Sequence, residues 1–205
     1  MIRHHHGRPV RTDGTRWSGM RGAAMVELAF IALLLTTLSA GAFDYGLAWR
    51  ASLATNEAAR TAARTGSALA DTVQADWYAL SGAKAALTSA GQINNVEKVV
   101  IYKSTTVTGE VPSQCKTATT STQPCVVLTG AQFRSLALSD FSTTTGCFNA
   151  ATIKNWCPTS RNNVQMTSDY YGVWIQLEYT HLFKFLQSST TIERDAVMRL
   201  EPDAT

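Results

Sequence analysis

The most apolar stretch of this chain, Leu28 to Phe43, LAFIALLLTTLSAGAF, carries no charged residue. Sixteen residues fall short of the ~20 that a helix needs to cross a bilayer, but including Ala23 to Glu27 brings the segment to that length. The apolar run passes without a proline into YGLAWRASLATNEAARTAARTG, where Leu47, Ala51, Ala54, Ala58 and Ala62 recur at helical spacing. Arg50, Glu57, Arg60 and Arg64 occupy other faces, and Glu57 with Arg60 makes a favourable i, i+3 pair. The pattern predicts one helix from about Ala23 to about Thr65, roughly 65 Å long at 1.5 Å per residue, with Gly66 as its stop. The first half suits lipid. The second half is narrow and alanine-rich, suited to lying on a domain.

A second helix is expected in DTVQADWYALSGAKAALTSAG. Asp71 and Gln74 have capping-box spacing, Val73, Trp77, Leu80 and Leu87 form the apolar stripe, and Gly91 ends it. Trp77 and Tyr78 read as core and rim residues. The signal then changes to short β-branched strands, Val96 to Tyr102 and Cys125 to Gly130, separated by a polar loop. Phe133 to Phe141 has no clear period, and residues 143–163 read as a loop with one short helical turn. Val173, Ile175, Leu177, Tyr179, Phe183 and Phe185 then alternate with mostly polar neighbours, QSSTT turns the chain, and Ile192, Ala196, Met198 and Leu200 share a face. This is an antiparallel hairpin with one buried side. A long helix covering a small antiparallel sheet, with loops pinned by cysteines, gives an α+β class.

Composition changes little: 205 residues, 45% hydrophobic, 16% charged, formal charge +3. The placement of charge matters more. Arg3, Arg8, Arg11, Arg16 and Arg21 face only Asp13 before the apolar run, so the positive-inside tendency puts that end in the cytoplasm. The remainder then lies beyond the inner membrane, where disulfides are permitted. Four cysteines, Cys115, Cys125, Cys147 and Cys157, allow three connectivities, of which the two ten-residue pairs Cys115–Cys125 and Cys147–Cys157 are the economical choice. None forms a CxxC and no histidine is near them in sequence, so no zinc site is expected. A rival reading takes the basic leader, the apolar core and Ala40 to Ala42 as a signal peptide cut after Ala42. Glu27 at the basic–apolar junction and the length of the leader argue against it.

The search for chemistry finds little. The HHH of residues 4–6 lies in a solvated leader. Outside it the only histidine is His181, on the apolar face of an expected strand. No GxSxG, P-loop, HExxH or GxGxxG occurs, and Asp169 and Glu178 lack a spacing suited to acid–base work. No enzyme, cofactor or resident metal is expected. The near-balanced charge beyond Glu27 offers no groove for nucleic acid.

Glu27 is therefore the informative residue. Acids inside a membrane span are rare, usually paired and functional. A cut between Gly22 and Ala23 would remove the basic leader and create an α-ammonium at Ala23. A neighbouring subunit's ammonium would then neutralise Glu27 and disfavour unmatched stagger, because a slip leaves a charge unpaired.

GAAMVE, Gly22 to Glu27, resembles the cleavage site of type IV prepilins: glycine, four residues, glutamate. Thr55 to Gly66 and Asp195 to Pro202 resemble segments of TadE-like proteins of Tad (Flp) pilus systems. The resemblance implies that Gly22 is the prepilin-peptidase recognition residue, Ala23 the mature N-terminus and Glu27 the family's glutamate at the fifth mature position, a filament-assembly residue. Flp-type major pilins often follow that glutamate with tyrosine, where this chain has Leu28, and they are far shorter. Both departures point to a minor pilin or pseudopilin. The implied organisation is a leader over 1–22, a transmembrane helix over 23–45 and a periplasmic or extracellular domain over 46–205, in a single-pass inner-membrane protein. The implied partners are the prepilin peptidase, the major pilin, other minor pilins, the inner-membrane assembly platform and the lipid bilayer. A secreted binding module and a tethered assembly factor that never enters a filament are the alternatives.

Overall fold

In a computed structural model, which describes residues 18–184 and 187–202, the apolar run and the alanine stripe form one unbroken helix, α1 (Ser18–Leu69). The leader arginines at 3, 8, 11 and 16, residues 4–6 and Phe185 lie outside the described residues. The chain divides into two compact units after Phe43. In the first, the apolar side chains from Met25 to Leu38 are all exposed. Thr36 and Thr37 turn their hydroxyls back on the carbonyls of Ala32 and Leu33, at 2.9 and 3.0 Å, which hides polar groups on a lipid-suited surface.

The second unit begins at Asp44. Within it α1 presents Ala51, Ala58, Ala59, Ala62 and Ala63, all fully buried, to the main hydrophobic core. Alanines keep that face narrow enough for the backbone to approach its neighbours. Gly66 does not stop the helix, contrary to expectation. A Cβ at Gly66 would overlap the Tyr171 ring, so the glycine serves packing, and the helix runs a further turn until Ala70 takes φ 44°. The second helix, α2 (Ala75–Ser89), ends at Gly91 (φ 71°) as expected. The expected capping box is absent. Gln74 caps without a side-chain bond, and Asp71 instead accepts from Asn163 Nδ2 at 3.2 Å. The buried face of α2 is Ala75, Asp76, Ala79, Leu80, Ala83 and Leu87. Trp77 is half-buried, edge-on to Phe141 with ring centroids 5.8 Å apart.

Five antiparallel strands, β1 (Val96–Ser104), β2 (Cys125–Thr129), β3 (Ile153–Lys154), β4 (Tyr170–Thr180) and β5 (Ser189–Arg199), form a sheet in the order β3-β2-β1-β4-β5. A short helix, α3 (Ser113–Thr117), lies between β1 and β2. Another, α4 (Gly130–Arg134), follows β2 and carries the capping box that α2 lacks, between Thr129 and Gln132. The unassigned stretch after Phe133 ends α4 and makes a 3-10 turn at Leu138–Asp140.

Period two sorts the strands between two cores. Val99, Ile101, Val126, Leu128, Tyr171, Val173, Ile175 and Leu177 join the helices. Val100, Tyr102, Val127 and Trp174 face the other way and are also buried, with Val111, Cys115, Cys125 and Ile153. The single buried side expected of the hairpin is thus corrected. The loop before β2 folds over the second face, and Tyr102 crosses the gap left by Gly172, where a Cβ would overlap its ring. The α+β class, with an apolar N-terminal helix, an antiparallel sheet and two disulfides, is as read from the sequence.

Candidate functional site

Gly22, Ala23 and Glu27 lie on α1, all exposed. Nothing comes within 4 Å of a Cβ built at Gly22. Ala23 and Glu27 are four residues apart and therefore stack on one helix face, about 6 Å apart along the axis. Among the described residues no ion pair involves Glu27. Helical geometry also sets the small residues Ala29, Ala32, Ala40 and Gly41 into the apolar segment, where they permit close approach of another helix.

The cysteines form Cys115–Cys125, with Cα atoms 6.4 Å apart, and Cys147–Cys157, with Cα atoms 4.9 Å apart. The first closes the loop over the second core. The second closes the segment that leads to Trp156 and Arg161.

His181 is not on a strand face. It stands one residue beyond β4, with Nδ1 3.1 Å from Asp44 Oδ2 and Nε2 2.7 Å from Thr190 Oγ1. The Leu182 backbone N–H donates to Asp44 Oδ1 at 3.0 Å. Asp169 pairs with Lys103 at 2.6 Å, and Glu178 accepts from Ser189 Oγ at 2.7 Å, so the two carboxylates serve separate contacts.

One cluster escaped the sequence reading. Arg161 Nη2 lies 2.6 Å from Asp76 Oδ1, both side chains essentially without solvent exposure. Its guanidinium sits between the rings of Trp156 and Tyr171, 4.7 and 4.8 Å from their centroids. Tyr171 donates to the same carboxylate oxygen at 3.1 Å, and Arg161 Nη1 donates to the Ala70 carbonyl at 3.4 Å. Burial pushes the Asp76 carboxyl above its usual range, opposed by the guanidinium. Burial, reinforced by the Asp76 charge, holds the Tyr171 phenol well above its ordinary value. Sealed from water, the cluster has no route for a substrate. It ties the end of α1, the start of α2, the second disulfide loop and β4 to one point. The signal available beforehand was an Asp in the first turn of α2; its partner is 85 residues away.

Among the described residues no group of three or more His, Cys, Asp or Glu could hold a metal ion. A cleft of about 370 Å³ beside the start of α2 is lined by Thr72, Val73, Gln74, Leu138, Phe141, Ser142 and Thr143, none of which titrates near neutrality.

The fold and these residues define a class: one apolar helix of membrane-crossing length, consistent with an anchor, joined to a disulfide-pinned α+β domain. Residues 22–64 match the family model described as TadE-like protein, which supports a TadE-like protein of Tad pilus systems. No curated protein and no solved structure matches the chain. The family match begins at Gly22, takes in Glu27 and runs to Arg64 along α1. It suggests involvement in Tad pilus systems and association with pilus components.

Proposed function

We propose that the chain is a minor pilin or pseudopilin that takes part in assembling a Tad-type pilus for adhesion or secretion. The observation that carries this reading is the family match opening at Gly22, on a helix whose apolar side chains are exposed from Met25 to Leu38. On this reading residues 1–22 are a cytoplasmic leader, residues 23–45 span the inner membrane and the domain from residue 46 is periplasmic until the subunit enters a filament. The prepilin peptidase cuts between Gly22 and Ala23. Both lie inside α1, so cleavage needs local unwinding, and glycine lowers that cost by about 1 kcal/mol relative to alanine. The major pilin, other minor pilins and the assembly platform then receive α1, with Glu27 opposite a neighbour's Ala23 ammonium.

The experiment is the N-terminal residue of the mature protein from its native membrane. Ala23 supports prepilin processing. Phe43 would replace the proposal with a secreted module cut after Ala42, and an intact leader would replace it with a tethered assembly factor.

A further inference from the structure

Asp44 directly follows the last residue of the charge-free run and is the residue on which the turn after β4 is rooted. Both of its carboxylate oxygens are engaged there, one by His181 Nδ1 and one by the Leu182 N–H. Thr190 of β5 holds the other His181 nitrogen, and Tyr179 meets the imidazole edge-on at 5.3 Å. The turn is therefore fixed to α1 at the point where the apolar run ends.

What it carries at that point is apolar. Leu182 is 63% exposed and Phe183 40%, followed by Lys184. On the helix Tyr45 is 69% and Trp49 55% exposed. Other exposed apolar residues of the domain, such as Val107, Val164 and Met166, lie in separate loops.

Length sets the depth of this patch. A hydrocarbon core of ~30 Å takes about 20 helical residues. Counted from Ala23 the core ends near Phe43; counted from Glu27 at the opposite interface it ends near Leu47. The polar layer beyond is ~5–7 Å thick, and Trp49 lies about 7.5 Å along the helix from Asp44. Tyr and Trp are enriched in that layer, and a lysine there reaches headgroup phosphates.

We infer that the turn bearing Leu182, Phe183 and Lys184, clamped on Asp44 beside Tyr45 and Trp49, is a lipid-contacting foot that seats the domain in the headgroup layer of the membrane α1 spans. The inference rests on α1 being a membrane span and not on any filament role. The foot gives the domain a second membrane contact. Moving the subunit out of the bilayer requires lifting Leu182 and Phe183 from the interface as well as extracting the helix.

The test uses the full chain in vesicles of phosphatidylethanolamine and phosphatidylglycerol, with a nitroxide on a single added thiol. All four native cysteines are in disulfides, so the added thiol is the sole labelling site. Leu182→Cys keeps the backbone N–H that Asp44 needs. Val107→Cys is the aqueous control: it follows Ser104, which pairs with Tyr170, and Tyr170 is ten residues, about 33 Å of strand, from the Thr180 end of β4. Leu34→Cys reports on the span itself. The expected result is an oxygen-to-nickel-chelate accessibility ratio at 182 several-fold above that at 107, approaching that at 34. A ratio at 182 equal to that at 107, with 34 lipid-like, overturns the foot while leaving the anchor. A label at 182 immobilised and shielded from both reagents overturns it in favour of a protein contact. A water-like ratio at 34 overturns the anchor reading together with the foot.

Discussion

Replacing Arg161 by methionine removes the cation from the sealed cluster and keeps most of the side-chain length. Asp76 is then a buried carboxylate whose remaining partner is the Tyr171 hydroxyl at 3.1 Å. Breaking a buried ion pair from one side costs about 3–5 kcal/mol, a large part of the ~5–15 kcal/mol that holds a typical domain. The cost depends on pH in a definite direction. Burial already holds the Asp76 carboxyl above the unfolded value of 3.8, so the folded chain binds more protons there and is favoured on the acid side. Without Arg161 only the Tyr171 hydroxyl opposes burial, and the window widens upward. Arg161→Met therefore regains stability as pH falls from 7 to 5, by at most about 1.4 kcal/mol per unit for the one proton taken up. Asp76→Asn makes the complementary defect: the stranded guanidinium cannot shed its proton and the Asp76 proton site is gone, so this variant shows no such regain as pH falls. Urea unfolding of the full chain in micelles, followed by tryptophan fluorescence at both pH values, measures each. A loss below about 1 kcal/mol at pH 7, or an Arg161→Met penalty equal at pH 5 and 7, refutes the account of a sealed, coupled pair.

Glu27→Ala is expected to abolish incorporation into pili while Gly22–Ala23 cleavage persists, read by immunoblot of sheared filaments and by the mature N-terminus; normal piliation removes the electrostatic role. Tyr102 and Tyr171 both titrate above the ordinary value of 10, so the unfolded chain loses those protons first and stability falls as pH rises past 10. Tyr171 alone contributes about 1.4 kcal/mol per pH unit, and the Tyr102 and Tyr171 share of the tyrosinate absorbance appears only on unfolding. Gly66→Ala drives a methyl into the Tyr171 ring and is expected to cost about 1–3 kcal/mol of unfolding free energy, although alanine is the better helix former. Replacing Cys147 and Cys157 by serine removes about 2.7 kcal/mol by loop closure, read as a lower urea midpoint.

What the sequence discloses is what local pattern controls. The helical stripe of Ala51, Ala58 and Ala62 and the alternation of Val173, Ile175 and Leu177 each report the face that meets the core. Local rules fail where a distant residue outweighs them. Gly66 reads as a helix stop, but Tyr171 needs its missing Cβ more than the helix needs to end. Asp71 and Gln74 have the spacing of a cap, yet Asn163 binds Asp71 instead. Burial of Val100, Tyr102 and Trp174 depends on a loop that no strand pattern records, and Arg161 reads as one more loop arginine until Asp76 is beside it. The Gly22–Glu27 spacing is weak by itself and, on the proposed reading, draws its weight from standing at the head of the apolar helix, a local pattern again.

On the proposed reading the two parts of α1 answer different solvents, and the difference bears on how assembly would be driven. Ten large apolar side chains are exposed between Met25 and Phe43. At about 1.5–3 kcal/mol each, keeping them in water forfeits roughly 15–30 kcal/mol, more than a typical domain's whole stability. Water is thus not their resting environment. Moving them from lipid to a bundle of like helices, however, gains almost no hydrophobic energy, because acyl chains are as apolar as leucine. On the proposed reading the choice between membrane and filament must then rest on terms that differ between those two media. Close packing at Ala29, Ala32, Ala40 and Gly41 is one. The Glu27 carboxylate is the other, since a matched ammonium is available only from a processed neighbour in register. A single acid in the stretch from Ala23 to Phe43, which is otherwise without charge, is what such a selection requires: enough to penalise a wrong stagger, and too little to prevent insertion.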